Sequence, residues 1–543
     1  MFFFIPIKYN LIMENTSAVY NTSTSSTRIE ELERENEKLR AQIAWLESQF
    51  RLSKHRQFGV SSEKTPSGQL ELPLFNESEV LASSSSILTD EEGSIDDKDT
   101  KSPKKARLSF NEDLPVKTVT YRLPEDEQVC PCCGGGVHVM SVESRREILI
   151  IPATVEIIEH KREIYGCRKC EREGIETPIL SADVPRSPIT KSMASPSALA
   201  FVFNQKYGAA MPLYRLEEQL EQIGAPITRQ TLSNWIMKGT ELWITPIYEL
   251  MRKIALEESV LHADETTVQV IREDGRSATS KSYMWMYRTG RTAPPCILYD
   301  YQTTRAAKHP MKFLKDFSGK LHVDGYVGYE AIPKVILSGC WAHARRAFID
   351  AQKSASPGSS DKLTLTDEAI QRIAALYGIE KEIAAYEGSM EEEYVDFRLK
   401  TRQEKSLPLV RDFFMWLKMI RPQVLPKSPL GRAITYVLNQ EKKLIQPFED
   451  GRLDLDNNLA ERSIKPFVIG RKNWLFSNTP RGATSSAMAY SLIVTAKENN
   501  LNIYSYLTHL FSVLPNIDIN NLEELSKLLP WSKELPSDCY LNE

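Results

Sequence analysis

Two aspartates sit where an isolated charge is expensive. Asp264 lies in Leu261-His262-Ala263-Asp264-Glu265-Thr266-Thr267, within a strand-like run. Asp324 closes Leu321-His322-Val323-Asp324, just before Gly325-Tyr326 turns the chain. A carboxylate inside an apolar strand is costly unless something pairs with it, and two of them on strands of one small sheet point to a shared cation. A third acid is expected later, on a helix. The segment Asp454-Leu455-Asp456-Asn457-Asn458-Leu459-Ala460-Glu461-Arg462 offers Asp454, Asp456 and Glu461, with Asp456 or Asn457 as the cap of a helix that carries Glu461. Clustered carboxylates suit Mg2+, a hard ion that keeps part of its water shell. Two such ions about 4 Å apart can act on both sides of an in-line displacement at phosphorus.

After Glu461 come Arg462, Lys465, Arg471, Lys472 and Arg481 with no acid among them, and Phe467, Trp474 and Phe476 interleave. Positive charge serves phosphates and aromatic rings serve base stacking. A solvated helix face with core aromatics gives the same pattern. His343, Arg345 and Arg346 fall on a helix expected over Trp341–Lys353, placed near the sheet edge where a scissile phosphate would lie; core packing of His343 is the alternative. A helix-turn-helix is legible at Leu213–Ile223, Gly224-Ala225-Pro226 and Arg229–Lys238, with Thr228 as cap. Leu232, Trp235 and Ile236 would face inward, whereas Arg229, Gln230, Ser233 and Asn234 would face outward, where such types reach phosphates and base edges. An ordinary helical hairpin reads the same way.

Cys130-Pro131-Cys132-Cys133 and Cys167-Arg168-Lys169-Cys170 form two Cys-x-x-Cys knuckles. That spacing lets both sulfurs of a knuckle face one tetrahedral Zn2+. Cys130, Cys133, Cys167 and Cys170 are the expected ligands, with Cys132 a spare and His138 a weaker candidate. Four thiolates leave no open position, so the zinc is structural rather than catalytic. With only eight cysteines in 543 residues, a disulfide scaffold is excluded and a reducing compartment fits.

The elements that position these groups follow from the patterning. Ile29, Leu32, Asn36, Leu39, Ile43, Leu46 and Phe50 alternate spacings of three and four, an a/d seam with a polar Asn at one a position. This predicts a leucine-zipper-like coiled coil over 28–58, and hence a homodimer or higher oligomer. A single amphipathic helix packed on the body of the protein is the alternative. Residues 76–113 carry a serine run, an acidic stretch and then Lys101, Lys104, Lys105 and Arg107, a disordered linker by composition. The zinc module spans 115–185, with strand-like runs at Ile148–Ile151 and Val155–Ile158, and 194–258 is helical. Strands follow at Val260–Ile271, Ser282–Thr289 and Cys296–Tyr301, the first two joined through an Asp274-Gly275 turn. Then come a helix (Ala306–Phe317), strands Lys320–Asp324 and Lys334–Gly339, and the Trp341–Lys353 helix. The reading is thus a multidomain α+β chain: a first part of the catalytic core over 259–355, a helical insertion over 360–450, a second part over 454–495 and a C-terminal helical segment over 496–535.

Net charge is −4, so DNA contact must come from local patches. No apolar run reaches the ~18–20 residues of a membrane helix. The apolar stretch Met1–Met13 lacks the features of a signal peptide, and Met13 is an alternative start. No Gly-Lys-Ser/Thr phosphate loop is present, which leaves an ATP-driven role without support.

Long ordered stretches give the pattern a name. HADETTVQV (262–270), HVDGYVGY (322–329), GCWAHARRAF (339–348), DNNLAERSIKPFVIGRKNWLF (456–476) and RGATSSAMAYSLIVTAKENNLNIYSYL (481–507) resemble the insertion-sequence-66 family of DDE transposases, over nearly all of residues 28–535. The resemblance implies a ribonuclease-H-like core, in which the first and fourth strands lie side by side. It implies the triad Asp264, Asp324 and Glu461 holding two Mg2+ (or Mn2+) ions beside a structural Zn2+. It also implies strand cleavage and strand transfer at the ends of a mobile element, by a cytoplasmic, nucleoid-associated bacterial protein that binds terminal inverted repeats and target DNA. Helper proteins of the same element are left open. Two other readings remain: a nuclease of the same fold without strand transfer, and a DNA-binding regulator whose acids are inert.

Overall fold

A computed structural model of the chain describes residues 154–165, 180–181, 183–354, 364–386 and 391–541, together with Glu35. Apart from Glu35, the expected coiled coil lies outside these residues, as do the linker, Ile148–Ile151, His138 and the cysteines of both knuckles. The described residues fall into two compact units, one from Trp341 to Gly451 and the other on either side of it in sequence.

Among the described residues, the first ladder is a short antiparallel one between β1 (Ile164–Tyr165) and β2 (Leu180–Ser181). Val155–Ile158, expected as strand-like, forms no ladder, and Ile157 is 86% exposed. Branched side chains favour a pleated, half-buried surface only where a neighbouring strand provides one, and none does so among the described residues. Four helices follow: α1 (Pro196–Phe203), α2 (Leu213–Gln222), α3 (Arg229–Gly239) and α4 (Thr245–Glu257). Gly224 turns the chain between α2 and α3 at φ 84°, a left-handed conformation that glycine adopts without a Cβ penalty. Thr228 caps α3 by accepting from the Thr231 N–H, and Leu232, Trp235 and Ile236 are buried as the pattern requires.

The sheet comes next. It contains β3 (Val260–Gln269), β4 (Lys281–Thr289) and β5 (Ile297–Gln302); after α5 (Lys308–Phe313) it gains β6 (Lys320–His322) and β7 (Ile336–Ser338). A 3-10 turn at Val327–Ala331 joins the last two. The spatial order is β5-β4-β3-β6-β7. The first three strands form an antiparallel meander, whereas β6 lies parallel to β3 and β7 parallel to β6. The first and fourth strands of the sheet are therefore neighbours, with His262 opposite His322.

The other unit is all helical: α6 (Trp341–Ser354), α7 (Leu365–Ala384), α8 (Glu391–Thr401), α9 (Leu407–Ile420), α10 (Pro429–Asn439) and α11 (Glu441–Ile445). Trp341, Phe348, Phe413, Phe414 and Phe448 meet at its centre. The chain then returns to the sheet unit as α12 (Asn458–Trp474), α13 (Pro480–Glu498), α14 (Ile503–Val513) and α15 (Leu522–Ser526). Buried hydroxyls of α13 occupy the free edge of β5: Thr495 Oγ1 accepts from the Ile297 N–H (2.9 Å) and Ser491 Oγ from the Tyr299 N–H (2.7 Å). Edge donors that would otherwise be unpaired are thus satisfied inside the unit.

Candidate active site

Asp264 sits mid-strand on β3, and its Oδ1 accepts from the N–H of Glu265 at 2.8 Å. Burial pushes its carboxyl up to about 8; the charge of Glu265 adds to the shift, and Asp324 and Glu461 add further, while the Glu265 N–H opposes them. Three carboxylates distant in sequence are thus electrostatic neighbours. Like charges drawn together in a desolvated place disfavour ionisation unless a cation joins them. Among the described residues no three His, Cys, Asp or Glu side chains are gathered into a ready-made ion cluster.

Asp324 lies two residues past the end of β6, not within a strand as expected. The ladder closes at His322, and one further bond runs from the Val323 N–H to the Ser338 carbonyl (2.9 Å). Asp324 Oδ1 instead accepts from the Tyr326 N–H at 2.8 Å, an aspartate turn that lifts the carboxylate off the sheet. Around it runs a closed set of contacts that no sequence pattern revealed. Arg305 Nε donates to Glu265 Oε1 (2.7 Å), and its Nη2 approaches Asp324 Oδ2 at 3.9 Å. Its guanidinium lies 4.0 Å above the Tyr326 ring, whose hydroxyl donates to the Arg305 carbonyl. Tyr329 donates to Glu265 Oε2 at 2.6 Å.

Glu461 stands in the first turn of α12, and that helix is fastened to β3 along its length. At its start, Asn457 donates to the Ala263 carbonyl (2.9 Å) and bonds His262 Nδ1 (2.9 Å). In its last turn, Arg471 donates to the hydroxyls of Thr266 and Thr267 (3.2 and 3.3 Å). Beyond its end, the Ser477 N–H donates to the Gln269 carbonyl and the Ser477 carbonyl accepts from the Ile271 N–H. Asn457 was expected as a possible helix cap. It holds the cap position, but its side chain makes no cap bond, being spent on the strand. Asp456 takes the local role, accepting from the Asn458 N–H (3.1 Å). Asp454 is bound by Arg291 Nε (2.9 and 3.1 Å) and lies 3.9 Å from His262 Nε2. His262 itself is buried and stacked on His322, with ring centroids 5.0 Å apart, and burial lowers its pKa.

The DNA-facing candidates separate by exposure. Arg462, Lys472 and Arg481 are exposed, whereas Lys465 and Arg471 are half-buried. Arg481 also pairs with Glu241 at 2.5 Å. Phe467, expected to stack on bases, is core: it packs against Tyr299, Tyr490 and Trp474. Trp474 is half-buried and donates to Tyr490. Phe476 and Leu475 are the exposed apolar pair, 44% and 64%, and Leu475 adopts a left-handed φ of 63°. On α3, Arg229, Gln230 and Asn234 are exposed, Gln230 bonding Asn234 one turn on, and Ser233 is half-buried. Arg345 is half-buried and Arg346 exposed on α6 of the helical unit, where Arg346 contacts His343 at 3.5 Å.

Comparison with known proteins bears on most of the chain. Residues 191–485 match the family described as "Transposase IS66 family", and 491–531 match its C-terminal element. Residues 127–171 match the zinc-finger binding domain of the same transposases, which makes the cysteine cluster a zinc-finger domain. Residues 45–119 match a leucine-zipper-like domain described as "Transposase C of IS166 homeodomain". Among relatives, the protein y4hP of Sinorhizobium fredii (strain NBRC 101917 / NGR234) is 30% identical, covering 87% of this chain and 86% of its own. The protein y4jD of the same strain is 28% identical, over 75% and 78%. Both are described only as uncharacterized. Among the described residues no helix is long and apolar enough to cross a membrane.

Proposed function

The chain belongs to the IS66 transposase family, and from that premise we propose that it cleaves and joins DNA at the ends of an insertion sequence. Asp264, Asp324 and Glu461 are the proposed catalytic carboxylates, on a ribonuclease-H-like core. The strand order β5-β4-β3-β6-β7 with one parallel β3–β6 pair supports that core. The observation that carries the proposal is the parallel pairing of β3 with β6, together with the tie of Asn457, just before α12, to the Ala263 carbonyl; the raised Asp264 carboxyl, due first to burial, then to Glu265, with Asp324 and Glu461 adding, accords with it. The oxygen donors of these three carboxylates fit Mg2+ or Mn2+.

Bound there, two ions would supply the charge that activates an attacking water or 3′-hydroxyl and stabilises the leaving oxygen. The chain's own part is to hold that charge in place. Asp264 comes from a rigid mid-strand position, Asp324 from the turn beyond β6, and Glu461 from a helix fixed to β3 at both ends. No side-chain nucleophile is required, so one site can serve hydrolysis and then joining. Arg462, Lys465, Arg471, Lys472 and Arg481 would contact the DNA backbone, as would Arg345 and Arg346, with Arg229, Gln230 and Asn234 of α3 reading its sequence. Cys130, Cys133, Cys167 and Cys170 are the proposed zinc ligands, and the zipper-like segment the proposed dimer contact.

Asp264→Asn, Asp324→Asn and Glu461→Gln keep shape and remove charge. Each is expected to lower Mg2+-dependent nicking of a plasmid bearing the element ends by about three orders of magnitude or more, while gel-shift binding without added Mg2+ persists. Nicking at the wild-type rate by any one of them would falsify the assignment. Pre-cut ends test joining separately, and nicking without joining would reduce the protein to a nuclease.

A further inference from the structure

The set of contacts around Arg305 has a direction. It starts at Glu265, the residue after Asp264, and ends at Asp324. Glu265 is almost wholly buried, so its two oxygens are costly unless bonded. Arg305 and Tyr329 bond them. The guanidinium is thereby fixed, and its face seats the Tyr326 ring at 4.0 Å, with the Tyr326 hydroxyl returning to the Arg305 carbonyl. The N–H of that same tyrosine holds Asp324 Oδ1 at 2.8 Å. Each link is at contact distance, and none depends on the chain between residues 265 and 305 or between 305 and 324.

We infer that Glu265, Arg305 and Tyr326 form a strut that sets the spacing of the Asp264 and Asp324 carboxylates, making Glu265 and Arg305 positioning residues for a divalent cation. This inference rests on the proposed three-carboxylate site. Arg305 acts mainly through orientation, because its charge is largely spent on Glu265 at 2.7 Å while Asp324 lies at 3.9 Å. A bare competing cation would have the opposite ranking. Residues that orient metal ligands typically change metal affinity 10- to 100-fold when altered.

The test is direct Mn2+ binding to the full-length zinc-loaded protein, measured by the paramagnetic resonance signal of free Mn2+, with thermal melting without added Mn2+ alongside. Wild-type protein is expected to show Mn2+ binding that Asp264→Asn removes. Glu265→Gln should weaken that binding roughly tenfold or more with a melting temperature close to wild type, and Arg305→Ala should weaken it likewise while losing stability, because it leaves Glu265 buried without its partner. Arg305→Lys should fall between, since lysine keeps the charge but not the planar face or the fork. Wild-type Mn2+ affinity in folded Glu265→Gln and Arg305→Ala overturns the strut and leaves the carboxylate site standing. Tighter Mn2+ binding by Arg305→Ala also overturns it, marking Arg305 as a competing cation. If Arg305→Ala loses binding only as it loses its fold, wild-type affinity in folded Arg305→Lys and Glu265→Gln overturns the strut as well. Wild-type protein with no Mn2+ binding sensitive to Asp264→Asn overturns the three-carboxylate site itself, and the strut with it.

Discussion

Buried charge is handled in opposite ways in the two units. In the helical unit Arg402 is fully buried, and Glu380 meets it with two parallel contacts, Nε to Oε1 at 2.6 Å and Nη2 to Oε2 at 2.7 Å. Its remaining Nη1 donates to the Pro447 carbonyl at 2.9 Å. Arg398 Nη2 lies 3.8 Å from the Glu380 carboxylate. In the sheet unit burial instead raises two carboxyls. Burial and like charges push Asp264 up to about 8, and Asp300 on β5 rises to about 6, burial being its largest cause. Glu380 thus meets a guanidinium fork, whereas the charges that act on Asp264 are those of other carboxylates, and strongly shifted groups of that kind gather at functional sites.

The comparison breaks most visibly at Arg402. Arg402→Ala takes its fork-shaped partner from Glu380, which keeps only Arg398 at 3.8 Å, and about 3 kcal/mol of stability should be lost. Urea or thermal unfolding followed by the tryptophans of the helical unit, Trp341 and Trp416, reads this directly; a loss below about 1 kcal/mol would dissolve the contrast. Asp300→Asn should have the opposite sign. The folded pKa of Asp300 lies above its ordinary 3.8, so its contribution is intact below that value and is lost as pH rises through about 6. The variant should therefore gain about 2–3 kcal/mol over wild type at pH 8 and nothing at pH 3.5. A pH-independent difference in melting would show that the shift plays no part. The smallest effect should come from an exposed polar contact with no buried charge at all. Thr228→Ala removes the cap of α3 and should cost about 1 kcal/mol without altering the pH profile.

Much of this was legible in the chain before any coordinates. The meander of β3, β4 and β5, the glycine turn and cap before α3, and the helix carrying Glu461 all follow from local signals: alternation, turn residues and capping types. What the sequence withheld was decided by tertiary partners. Asn457 has the residue type of a cap, yet the Ala263 carbonyl and His262 claim its side chain. Phe467 and Phe476 look equivalent among basic residues, but only the helix face turned to Tyr299 and Tyr490 is core. Arg305 lies in a connection without periodicity, so nothing local marks it as the partner of Glu265. Glu265 itself had a signal, its place beside Asp264, and could have been singled out.

The fastening of α12 along β3 also sets an order of events during synthesis. The last strand of the sheet ends at Ser338, and the helix that brings Glu461 begins at Asn458, after the whole helical unit has been made. At ordinary ribosomal speeds that interval is on the order of ten seconds. A nascent chain can form its five strands, and with them both aspartate positions, long before the closing helix leaves the exit tunnel. A stop within 339–457 leaves the five strands without α12 and without Glu461, so on the proposed three-carboxylate site interrupted translation would yield an inactive fragment.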